Sequence, residues 1–123
     1  MIENEYFTDA ELACSCCGEN RVNNDSLRRL IRVRERLNEP MVVTSGYRCE
    51  SYNNQIGATQ THATGKAFDV RCSGKTAWRL MQIATEEGFT GIGVKQNGEW
   101  SVRFLHLDDL EPEEAPRPTI WSY

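Results

Sequence analysis

The chain has only two histidines, His62 and His106. His62 precedes Asp69, with Gly65 between them and the apolar pair Ala67 and Phe68 just ahead of the acid. His106 sits in the apolar run Val102-Arg-Phe-Leu-His-Leu-Asp108. Two imidazoles and a carboxylate make a three-donor set for zinc and leave a fourth position open to water or substrate. That open position marks a catalytic zinc, which acidifies water and polarises carbonyls, rather than a structural one. The competing reading is a surface-loop histidine and an aspartate paired with an arginine, and for a lone histidine and aspartate it is the commoner case.

These side chains need elements to hold them. A helix would place His62 and Asp69 on one face, but Gly65 among small and β-branched residues opposes it. A loop carrying His62, a turn at Gly65 and a strand over Lys66–Arg71 fit better. On that strand Ala67, Asp69 and Arg71 face one way, while Phe68 and Val70 face the core. A carboxylate so placed is half-buried and requires a cation or hydrogen-bond donors. In the run through His106, alternation puts Phe104, His106 and Asp108 on one face and Arg103, Leu105 and Leu107 on the other.

The remaining elements follow from periodicity and turn chemistry. Thr8 followed by Glu11 is a capping box for one helical turn. Asn23, Asn24 and Asp25 start a helix with Leu27, Leu30, Ile31 and Leu37 on one side, arginines on a solvated side, and a stop before Pro40. Met41–Ser45 is β-prone, Glu50–Ile56 forms a brief helix, and residues 57–66 read as a loop. A second long helix runs from Gly74, with Ala77, Leu80, Met81 and Ala84 on one face and Gly88 as its stop, and Trp78 and Met81 near the core. Strands around Phe89–Val94 and Trp100–Leu107 flank Gln96-Asn97-Gly98, a hairpin signal. The proline-rich tail Glu111–Tyr123 is extended and lies on the body through Ile120, Trp121 and Tyr123. The expected fold is α+β: a small antiparallel sheet with helices packed on one side.

With 123 residues the chain is expected to form one domain, residues 1–123, and a monomer. A net charge of −4 without a basic cluster argues against nucleic acid as the main partner. No run has the length of a membrane span, and the start Met-Ile-Glu-Asn-Glu is acidic, unlike a signal peptide. Synthesis in a cytoplasm is the expectation.

Taken together, Ser45-Gly-Tyr-Arg-Cys49, His62-x-x-Gly65-x-Ala67-x-Asp69, Gly91-Ile-Gly93 and Phe104-Leu-His106-x-Asp108 resemble a known family in order and spacing. It is that of the zinc D-alanyl-D-alanine carboxypeptidases and phage L-alanyl-D-glutamate peptidases, whose fold the hedgehog signalling domain shares. The resemblance spans roughly residues 6 to 123. It implies zinc held by His62, Asp69 and His106, and an Arg48 that faces the substrate. It also implies a peptidoglycan stem peptide as that substrate, and action of the endolysin type at a cell wall, reached after release or delivery. A guanidinium there suits a substrate carboxylate or the oxyanion of an attacked amide, against the alternative of a salt bridge with Asp69 or Glu50. Ser45 and Tyr47 shape the strand end and the pocket wall. Members that carry a histidine two residues before the last ligand, or an acid three before it, differ from this chain, which has Phe104 and Arg103 there. The alternative to a peptidase is a zinc-stabilised module that binds cell wall or protein without cutting.

With no third histidine, a general base must be an acid. Asp108 is the nearest acid pointing the same way as a ligand, with a supporting role, orienting an imidazole or pairing with Arg48, as the alternative. Glu99 is the rival, on a hairpin that would fold over the cleft, and the third reading is no dedicated base. The five cysteines suggest thiols or a metal rather than an obligatory disulfide set. Cys14 and Cys17 have zinc-knuckle spacing, and Cys49 and Cys72 each follow a strand near the site. A second, structural zinc on Cys14, Cys17, Cys49 and Cys72 is one expectation, and simple buried thiols or one disulfide formed after release are the other.

Overall fold

The computed structural model describes residues 1–123. It opens with one helical turn, α1 (Asp9–Leu12), where Thr8 Oγ1 accepts the Glu11 backbone N–H as the capping box requires. Helix α2 (Asn24–Leu37) begins at Asn23, whose side chain accepts the Ser26 N–H. It ends at Asn38, in the left-handed conformation two residues before Pro40. The other elements are β1 (Val42–Ser45), α3 (Glu50–Ile56), a 3-10 turn (Thr61–Thr64), β2 (Ala67–Arg71), α4 (Gly74–Glu86), β3 (Gly91–Lys95), β4 (Phe104–Asp108) and β5 (Thr119–Ser122).

The five strands form one sheet in the order β1-β2-β4-β3-β5. Phe68, Val70, Ile92, Leu105 and Leu107 from the sheet share one core with Leu27, Leu30, Val33, Leu80 and Ala84 from α2 and α4. Alternation then turns Asp69, His106 and Asp108 to the opposite face. The arginines of α2 do more than face solvent: Arg32 and Arg36 pair with Glu87, and Arg29 reaches Asp109 and the Glu87 carbonyl. Such half-exposed pairs add little stability singly, but they join α2 to the end of α4.

The architecture is α+β as expected, with three corrections of detail. The sheet is mixed, because β5 runs parallel to β3 with Thr119 beside Gly91. The reason is geometric: β4 ends at Asp108, opposite Gly91 at the start of β3. Residues 109–118 step across that end, so the chain re-enters beside Gly91 and must travel with β3. Of Ile120, Trp121 and Tyr123, only Trp121 is half-buried, with Ile120 and Tyr123 exposed. Second, the Asn97-Gly98 hairpin is wider than a two-residue turn. Lys95 pairs with Phe104, and Trp100–Val102 is a 3-10 turn rather than strand. Third, Trp78 is 68% exposed, because it lies off the stripe of Ala77, Leu80 and Ala84 that α4 buries. No helix is long and apolar enough to cross a membrane.

Candidate metal centre

Register brings the two strand-borne donors together. Asp69 of β2 is the direct cross-strand partner of His106 of β4. His62 arrives from the 3-10 turn, which ends at Gly65 in the left-handed conformation, φ 78°. A side chain at Gly65 would run into the Arg21 carbonyl, and the Asn23 N–H donates to the Gly65 carbonyl at 2.8 Å. Gly65 is thus demanded by both its backbone angle and its neighbour.

The donors converge closely. His62 Nε2 and His106 Nδ1 lie 3.2 and 3.1 Å from Asp69 Oδ1. The tautomers follow from what each other ring nitrogen faces. His62 Nδ1 is 2.7 Å from the Gly46 carbonyl, so that nitrogen carries the hydrogen and Nε2 presents a lone pair. His106 Nε2 is 2.7 Å from Asp108 Oδ2, so its hydrogen is there and Nδ1 presents a lone pair. His62 Nε2 is buried without a hydrogen-bond partner. Two lone pairs and a carboxylate turned on one point are unfavourable unless a cation stands among them. The set therefore fits zinc, with His62 offering Nε2 and His106 offering Nδ1.

The electrostatics say the same. Burial pushes the Asp69 carboxyl up, but His106 and His62 beside it outweigh this and hold it well below the usual carboxylate range. Burial pulls the His106 imidazole down, and Asp108 and Asp69 overcome that and raise it. A proton and a metal ion compete for the same place.

Asp108 stands behind His106. It is fully buried, takes the His106 hydrogen, and accepts from Arg117 through both oxygens at 2.8 Å. Burial raises its carboxyl, and His106 and Arg117 bring it down to about 2. Arg48 lies on the open side, with Nη2 3.8 Å from Asp69 Oδ2 and a buried Nε that has no partner. Its backbone N–H donates to the His62 carbonyl at 3.3 Å. A cleft of about 690 Å³ exposes this group to solvent, lined by Arg48, His62, Asp69, His106, Trp121 and Tyr123 among others. Asp69 is the only carboxylate in its wall, and neither Asp108 nor Glu99 lines it. Tyr47 is buried in the core rather than forming the cleft wall. A more apolar cleft of about 750 Å³ between α4 and β5 has no titratable side chain and offers no chemistry.

Sequence reasoning assigned no role at the site to Arg117 and did not see what Gly91 and Gly93 do. A Cβ on Gly91 would strike the Asp108 carboxylate and Arg117, and one on Gly93 would sit 2.6 Å from Trp121 Nε1. The signal was present in Gly91-Ile-Gly93: alternate glycines strip one face of a strand, here the face beside His106 and Asp108. Arg117, between two prolines, carries no local signal. Among the cysteines, Cys14, Cys17 and Cys49 gather, whereas Cys72 stands apart and burial pushes its thiol up to about 11. The expected four-cysteine set is corrected accordingly. Antiparallel pairing of β1 and β2 sends the residues that follow each strand to opposite ends of the sheet.

A family model described as Peptidase M15 matches residues 5–108. The match takes in His62, Asp69, His106 and Asp108 and ends before Arg117 and Trp121. None of the curated proteins matches the chain.

Proposed function

The chain belongs to the peptidase M15 family, and on that premise we propose that it is a zinc peptidase of peptidoglycan stem peptides. His62, Asp69 and His106 hold the metal in this reading. The observation that carries it is the pair of opposed tautomers, which turns two buried lone pairs onto one carboxylate oxygen beside an open cleft. Zinc bound there supplies Lewis-acid chemistry, polarising an amide carbonyl and making water more acidic.

The chain's own residues do the rest. The Gly46 carbonyl and Asp108 hold the imidazoles in the tautomers that present lone pairs. Arg117 holds Asp108. Arg48, with its unpartnered Nε, binds a substrate carboxylate or the charge that develops on the attacked carbonyl oxygen. Stem peptides carry free carboxylates beside their amides, which suits this guanidinium. Asp108, sealed from the cleft with both oxygens engaged, acts by orienting His106 rather than by moving a proton from water. The finer assignment is a D-alanyl-D-alanine carboxypeptidase or an L-alanyl-D-glutamate endopeptidase of phage endolysin type.

One observation favours a second reading, a zinc-bearing module that binds wall peptides without cutting: apart from Asp69, no carboxylate lines the cleft. Digestion of purified peptidoglycan by the zinc-loaded protein, with new termini identified by mass spectrometry, separates the two. New termini that vanish in His106→Ala support the peptidase. Sedimentation with the wall and no new termini overturn it in favour of the module.

A further inference from the structure

The sulfurs of Cys14, Cys17 and Cys49 lie within 4.8 Å of one another, in a second convergence of ligating side chains away from the histidines. The loop Cys14-Ser-Cys16-Cys17-Gly18 is closed by its own backbone. Gly18 N–H donates to the Cys14 carbonyl and Cys14 N–H to the Glu19 carbonyl, both at 2.8 Å. Gly18 has φ 77° with open space where a Cβ would stand, so the turn itself calls for glycine.

Cys14 Sγ accepts the backbone N–H of Cys49 at 3.4 Å, which ties the loop to the segment after β1. A neutral thiol is a weak acceptor, whereas a thiolate takes charge-assisted bonds. Such a donor suits a thiolate. Cys16 is exposed in the same loop, outside the convergence of the other three sulfurs, and is the one further thiol of this segment. The three converging sulfurs compete for one negative charge, and a divalent cation removes the conflict.

From the convergence of Cys14, Cys17 and Cys49 we propose a structural zinc ion in a closed four-thiolate site, with Cys16 of the same loop turning in as the fourth ligand. Sulfur donors in a tetrahedral set select zinc, and four of them leave no position for water or substrate. Three ligands come from the N-terminal segment and one from the residue after Arg48, so the ion clamps that segment to Gly46–Cys49. The clamp runs alongside contacts already in place. Tyr47 N–H donates to the Leu12 carbonyl at 2.8 Å, and a Cβ on Gly46 would lie 2.6 Å from that same oxygen. The Gly46 carbonyl orients His62, so the clamp steadies the backbone behind the histidine site.

Metal analysis and cobalt substitution test this independently of the histidine site. The unaltered protein is expected to carry two zinc ions, and its cobalt form to show an intense thiolate-to-cobalt charge-transfer band in the near ultraviolet. His106→Ala should keep that band and one zinc ion, and Cys72→Ser should keep both ions. Cys49→Ser should lose the band and one ion. The cobalt spectrum of the unaltered protein decides the matter even where a cysteine variant does not fold. One zinc ion with no thiolate band, or a disulfide within the cluster, overturns the proposal. An unchanged band in Cys16→Ser removes Cys16 from the set and overturns the four-thiolate assignment. One zinc ion with the band intact and insensitive to His106→Ala overturns the histidine site instead and leaves this one standing.

Discussion

The histidine and cysteine clusters collect metal donors by opposite plans. His62, Asp69 and His106 come from a turn and two neighbouring strands, and their orientation is set by groups outside the cluster: the Gly46 carbonyl, and Asp108 backed by Arg117. One side opens on the cleft. Cys14, Cys16 and Cys17 come from one short loop closed by its own backbone hydrogen bonds, and only Cys49 is distant. The first plan holds mixed donors with a vacancy for chemistry; the second holds like donors with none. The difference shows what each site must resist. An open metal needs rigid remote supports, because nothing fills its fourth side, whereas a closed one is held by its own loop. The two meet at Gly46–Cys49, which supplies an orienting carbonyl, Arg48 and a thiolate.

The largest expected effect tests whether the clusters are separate units. His62→Ala or His106→Ala should remove zinc from the histidine site and abolish wall-peptide cleavage, as metal analysis and product mass spectrometry would read. The thiolate–cobalt spectrum should stay unchanged. Loss of both metals in either variant would break the comparison, making the clusters one cooperative unit.

Next in size is Arg48→Ala, the residue between the clusters. It should leave zinc content unchanged and lower kcat by about 10²–10³, the usual cost of removing one donor to a developing oxyanion. An effect confined to KM would place Arg48 in uniform substrate binding instead.

Asp108→Asn sharpens the claim that the open site depends on remote support. Zinc affinity should fall by about 10–100-fold, the usual range for a lost partner behind a metal-bound histidine. Titration with a zinc chelator measures it without reference to turnover. Activity recovered at saturating zinc supports orientation, and a depressed kcat at full occupancy returns Asp108 to proton transfer.

The smallest effect concerns the bare strand face. Gly93→Ala should cost about 1–3 kcal/mol in denaturant unfolding, as expected of overpacking against Trp121 and His106. Trp121→Ala in the same chain should recover part of that loss, since the two residues share the space. Additive losses would mean that Trp121 is not what Gly93 accommodates.

Much of this molecule is written locally in its residues. Asn23, Pro40 and Gly88 bound the two long helices because capping and backbone constraints act within a few residues. Phe68 and Val70 against Asp69, or Leu105 and Leu107 against His106, declare a buried face and a site face through the strand's period of two. The order of His62, Gly65, Asp69 and His106 carried the resemblance to a zinc peptidase. What the tertiary structure decided depends on contacts between segments far apart in the chain, which no local period encodes. Such contacts paired Asp69 with His106, and Arg117 with the Asp108 that alternation alone places beside a ligand as a candidate base. They turned the proline-rich tail into a parallel strand and gave Gly93 its reason in Trp121. They also drew Cys49 to Cys14 while leaving Cys72 at the far end of an antiparallel pair. Spacing alone shows which residues have the chemistry to be ligands; register shows which of them share a point in space.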